Sequence, residues 1–198
     1  MYKPLVKTCD YFPSLAWFHH YVQAEHVEIS ILQTYQRKGM ENRCIIGSAN
    51  GPLVLSVPLD GGRNQHQALN TLKPAYHTRW QHQQAQAIRS AYGRTPYFDY
   101  FEALFQPVFT NQFESLSAMN LFILNACLKA MKIAPKHQVQ TIPYEAGAMV
   151  HEYDVPSPIT YIQPFSDRHG FMPNLSILDA LMCCGPQTRS LLENSPKK

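Results

Sequence analysis

PLVKTCDYFPSLAWFHHYVQAEHVEISILQ, residues 4–33, carries the reading on which the fold turns. Its first six residues are short, apolar-rich and bounded by a turn, so they read as a strand. DYFPS makes the turn, and Ser14 is placed to cap a helix running to about Val22, with Leu15, Phe18 and Val22 at helical spacing. HVEISILQ, residues 26–33, then alternates as a half-buried strand does. Strand, helix and strand in so short a stretch predict a βαβ unit with parallel strands and a right-handed crossover.

Moving outward, residues 35–59 read YQRKGMENRCIIGSANGPLVLSVPL, with Asn50-Gly51 between two β-rich runs. This predicts a hairpin over residues 43–58 with a type I′ turn, because Asn and Gly accept the positive φ such a turn requires. DGGRNQHQALNT (60–71) is polar and reads as a loop or flap. Helices follow. In residues 76–93, Trp80, Gln84, Ala87, Ile88 and Ala91 share a face and Gly93 is a terminator. In 96–108, Pro96 suits a first turn. Residues 113–133 are apolar around most of the helix girth, as in a buried helix. From Ala134 to Phe171 prolines break the pattern, giving a long surface connection in which ITYIQ (159–163) is a strand candidate. PNLSILDALMCCGP (173–186) is a capped helix, with Asn174 or Ser176 at its start and Gly185-Pro186 as its stop.

The 198 residues, 45% hydrophobic and 12% aromatic, suit one globular domain over residues 1–198. The expected fold is α/β: a small, mostly parallel sheet with an antiparallel β-hairpin, covered by helices. A net charge of +3 with only 16% charged residues is too thin for a nucleic-acid surface. The N-terminus lacks the apolar core of a signal peptide, and no apolar run is long enough to span a bilayer. Five cysteines without a C-x-x-C pair fit reduced thiols, hence a cytoplasmic location.

Nine histidines occur, but none at H-x-x-x-H or H-E-x-x-H spacing, so no metal site is assigned. Phosphate-loop, dinucleotide and G-x-S-x-G motifs are absent. A ligand could still sit at the first strand-to-helix turn, where a helix N-terminus meets the carboxyl end of a strand. Gln36, Arg37, Asn42 and Arg43 lead into the hairpin, offering guanidinium forks for an anion and amides for sugar hydroxyls. Arg43 has an alternative use, pairing with a carboxylate such as Asp10 or Asp179.

These blocks resemble a known family. CDYFPSLAWF is similar to the PNYFPWLGYF opening of WbqC-like proteins, and residues 35–59 resemble the YQKQSYRNRCHI-ANG-LSIPV stretch of its short forms. AYGRTPYFDYF resembles AY-PFFEYY, and FMPNLSILDALMCCGP is close to FIPNLSILDLLFNCGP. Together these cover residues 9–64, 80–101 and 171–186 in the family's order. The resemblance implies a role in O-antigen or surface-polysaccharide biosynthesis, with acyl or aminoacyl (glycine) transfer to an amino sugar as the suggested reaction. The alternative is a non-catalytic, ligand- or partner-binding descendant. The motif positions map to Tyr11, Gln36, Asn42, Arg43, Trp80 and Asp179, beside which Arg37 and His82 join the candidate binding set. No catalytic residue and no cofactor is assigned. The expected partner is an anionic or sugar-like small molecule, not nucleic acid or membrane.

The chain also departs from the family. Ser14 replaces a Trp, Glu41 replaces an Arg, and Gln84 stands where the family has His. His82, two residues earlier, points about 200° away on a helix and cannot take over that role. A "SG-Y" segment of the longer forms is missing between Lys136 and Phe171.

Overall fold

The computed structural model describes residues 5–62, 64–140 and 159–195. The opening βαβ unit is present: β1 (Leu5–Thr8), α1 (Leu15–Gln23) and β2 (Val27–Ser30), with the strands parallel and Leu5 facing Val27. Ser14 caps α1 by accepting the Trp17 amide at 3.1 Å. Val27 and Ile29 of β2 point into the core. Trp17 stacks on Tyr21 at 5.6 Å, so α1 covers the sheet with aromatic rings. A third strand, β5 (His137–Gln140), pairs parallel with β2 to complete the order β1-β2-β5. The proline-broken connection predicted over residues 134–171 hid this strand. Its HQVQ is polar enough for a sheet edge and carries no apolar alternation to read.

The hairpin is a separate two-stranded sheet of β3 (Arg43–Ser48) and β4 (Gly51–Ser56). Its turn differs from expectation. Ser48 pairs with Gly51, so the loop residues are Ala49 and Asn50, and only Gly51 has positive φ, at 96°. With Ala49 and Asn50 both outside positive φ, this is not a type I′ turn, and the positive-φ residue is the glycine that follows the loop. The Ser48 hydroxyl decides it, accepting the Asn50 amide at 3.2 Å and donating to the Gly51 carbonyl at 2.7 Å.

Helices α2 (Trp80–Tyr92), α3 (Phe98–Thr110) and α4 (Leu116–Ala130) pack in sequence, and α4 is buried along most of its girth. Gly93 ends α2 in right-handed geometry, and Pro96 lies before α3 instead of in its first turn. The ITYIQ candidate is irregular, not a strand. After α5 (Ser166–His169), α6 (Ile177–Cys184) is capped by Ser176 and stopped by Gly185 at φ 58°, and α7 (Thr188–Glu193) follows. One cluster of buried apolar residues runs from Cys9 to Leu192. Of the interval between Lys136 and Phe171 in which the "SG-Y" segment is missing, residues 141–158 lie outside the described residues. No helix among the described residues is long and apolar enough to cross a membrane.

Candidate functional site

The first strand-to-helix turn is filled with protein. Tyr11, Phe12, Pro13 and Ser14 are all buried, and Phe12 takes φ 40°. The open amides of α1 have protein acceptors: Leu15 donates to the Leu175 carbonyl and Ala16 to Asn174 Oδ1, each at 3.0 Å. The Ser176 hydroxyl donates to the Phe12 carbonyl at 2.9 Å, and the Ser176 amide reaches Ile45 on β3 at 2.7 Å. The partial positive charge of this helix end is therefore met by the segment preceding α6.

Arg43 pairs with neither Asp10 nor Asp179. Its Nε donates to the Gly39 carbonyl and its terminal nitrogen to the Arg37 carbonyl, both at 2.7 Å. It thus clamps its own loop, because carbonyls of a turn lacking helix or strand partners need donors. Gln36 and Arg37 are exposed on that loop. Asn42 is committed to structure, donating to the Val57 carbonyl at 2.9 Å and accepting from Tyr35 at 3.2 Å. Glu41, the substituted position, is buried, and its carboxylate occupies the space a side chain at residue 39 would need. A side chain at residue 39 would therefore require the end of the Glu41 side chain to shift.

Trp80 and Gln84 lie one turn apart on the buried face of α2. Gln84 accepts the Tyr11 hydroxyl at 2.7 Å and donates to the Ser56 carbonyl at 2.9 Å, linking the first turn to the hairpin. Burial, with Cys44 and Tyr76 nearby, raises the Tyr11 pKa well above the ordinary phenol value. His82 is exposed on another face, lining a groove of about 460 Å³ between α2 and α3.

Asp179, on α6, is fully buried. Its Oδ2 accepts the Tyr92 hydroxyl at 2.7 Å, and that hydroxyl in turn accepts the Gly47 amide at 3.0 Å. Oδ1 accepts no direct hydrogen bond from a described residue. Desolvation raises the Asp179 pKa, while Tyr92, Tyr161 and Gln163 pull it down. One turn on, Cys183 lines a second cavity of about 670 Å³ with Arg94, Thr95, Gln163 and Phe165. Burial first, then Asp179 and Cys184, push the Cys183 thiol far up. Arg94 is exposed at this cavity and makes no hydrogen bond or ion pair with a described residue. All five cysteines are free thiols; Cys9, Cys44 and Cys127 are buried, whereas Cys183 and Cys184 are half-buried.

Of the sequence candidates, then, Tyr11 and Trp80 converge through Gln84 and Tyr76, and Gln36, Arg37, Asn42 and Arg43 share one loop. His82 and Asp179 stand in separate surroundings. Sequence reading missed Gln84 as a linker and Tyr92 as the partner of Asp179. It also missed Arg94, whose only signal is its place after the helix stop in AYGRTP. A model of the WbqC-like protein family matches residues 9–148. The chain belongs to this family. No curated protein and no solved structure matches it. The matched span holds the first turn, the hairpin and α2 of this WbqC-like chain, while Asp179 and the Ser176 seam lie beyond it. Among the described residues no three His, Cys, Asp or Glu side chains gather as metal ligands.

Proposed function

We propose that this WbqC-like protein serves surface-polysaccharide biosynthesis by binding an anionic or sugar-like small molecule, without itself performing acyl transfer. The observation that carries the non-catalytic side of this reading is Gln84. It occupies the position of the family's histidine, and both ends of its amide are used to join Tyr11 to Ser56. An imidazole, which can carry a proton near neutral pH, is thus replaced by a neutral amide committed to structure. Cys183 is no substitute, since an acyl-carrying thiol must ionise and its surroundings oppose that.

The Arg94 cavity is where the ligand is proposed to sit. Its volume of about 670 Å³ suits a small molecule. Arg94 supplies a guanidinium uncommitted to any described residue for a phosphate or carboxylate, and Phe165 an aromatic surface beside it. The test is a thermal-shift screen with nucleotide sugars and acyl donors, on the wild type and Arg94→Ala. A ligand at a hundred times its Kd stabilises by about 2.7 kcal/mol. A nucleotide sugar should raise the wild-type midpoint, and Arg94→Ala should reduce that response at unchanged basal stability. A response that ignores Arg94, or no response to the series, overturns this assignment. Turnover of an acyl donor with an amino sugar would instead establish the transferase reading.

A further inference from the structure

The groove between α2 and α3 is distinct in lining from the Arg94 pocket. Its floor is apolar: Ile88, Phe98, Phe105, Leu178 and Met182 are buried beneath it and Phe109 is half-buried. Ala85 and Ala103, small residues on its two walls, leave the space open. At one end stand Arg89 from α2 and Asp99 and Glu102 from α3. Arg89 is ion-paired with Glu102, and its guanidinium lies over the Phe98 ring at 5.4 Å. Asp99 makes no hydrogen bond or ion pair with a described residue.

We propose that this groove binds a small organic ammonium ion with an aromatic or branched aliphatic body, and that Arg89 occupies the cation position until the ligand displaces it. One carboxylate paired with the guanidinium, an aromatic ring beneath it and a second carboxylate on the same wall form an environment that favours positive charge. One cation against two carboxylates leaves that end negative, which disfavours an anion. The Arg89–Glu102 pair is displaceable, since its side chains are 63% and 40% exposed and exposed pairs hold weakly. The apolar body would lie over Ile88 and Phe105 toward His82 at the far end.

The test is an NMR titration of the full chain with phenethylammonium, using 3-phenylpropionate and 3-phenylpropanol as anionic and neutral matches. Phenethylammonium should give saturable amide shifts on α2 and α3, and the anion none. Asp99→Asn and Glu102→Gln should each weaken binding by about tenfold. Arg89→Ala should tighten it several-fold, because it removes the internal competitor. These are surface changes, and far-UV circular dichroism checks that each variant folds. No saturable shift in the groove with phenethylammonium overturns the proposal. So does weaker binding in Arg89→Ala, or preference for the propionate. Phenethylammonium does not report on the Arg94 cavity, so this outcome is separate from that of the nucleotide-sugar screen.

Discussion

Arg43 and Asp179 illustrate how a residue type can be legible while its partner is not. Both stand out in a one-dimensional reading, and a buried Arg–Asp tie between them is the economical guess. The folded chain instead gives Arg43 two carbonyls four and six residues away, and gives Asp179 a tyrosine. Local carbonyls need donors wherever a loop lacks regular structure, and that demand leaves no mark in the sequence. Arg43→Ala should therefore cost about 1–3 kcal/mol, the worth of charged hydrogen bonds, and less than the loss of a buried ion-pair partner. Urea unfolding measures it. Asp179 makes the opposite prediction about pH. Because desolvation raises its pKa, the folded protein holds this proton more tightly than the unfolded chain does. Its contribution is fully favourable below the ordinary value of 3.8 and is lost as pH rises through the raised folded value. Asp179→Asn should remove this part of the pH dependence, so its stability relative to wild type should improve from acid to neutral pH. A relative stability that instead worsens toward neutral pH would mean that Asp179 is held as a favoured anion.

At the scale of elements, periodicity and capping were readable wherever a segment is amphipathic or sharply bounded. Ser14 and Ser176 cap α1 and α6 as the sequence suggested, and the apolar 113–133 stretch contains the buried helix α4. What escaped was pairing decided by a single hydroxyl or by distant chain. Asn50-Gly51 announced the hairpin, yet Ser48 moved its loop back one residue. β5 exists because β2 offers it an edge, which HQVQ alone cannot signal. The hairpin carries its own test. Gly51 sits at φ 96° with nothing within 4 Å of where a Cβ would be, so any penalty there is purely backbone. Gly51→Ala should cost about 1–2 kcal/mol, the price of a left-handed L-residue. Asn50→Ala should cost much less, since Asn50 needs no positive φ. Equal losses in thermal unfolding would return the turn to the type I′ form.

For the whole molecule, the informative seam is the one between the N-terminal turn and the segment before α6. The family match ends at residue 148, but Leu175, Ser176 and Ile177 bond directly to Leu15, to Ile45 and Phe12, and to Pro13. α6 then buries Ile177, Leu178, Ala180, Leu181 and Met182 in the cluster that begins at Cys9. The βαβ unit, the hairpin and the C-terminal helices therefore share one core, and removing α6 would uncover the floor of the α2–α3 groove, which Leu178 and Met182 help to form. Burying a Leu, Ile or Met side chain is worth about 1.5–3 kcal/mol, and four such residues in α6 together exceed a small domain's margin of about 5–15 kcal/mol at its lower end. A chain truncated after residue 170 should thus lose cooperative folding even though it retains the whole family-matched span. Calorimetry should give a single transition for the full chain and none for the truncated one. Ser176→Ala is the graded version: it removes the donor to the buried Phe12 carbonyl and the cap of α6, and should lower stability by about 1–3 kcal/mol while keeping one transition. Two separate transitions in the full chain, or a truncated chain that melts as sharply, would divide the molecule at this seam.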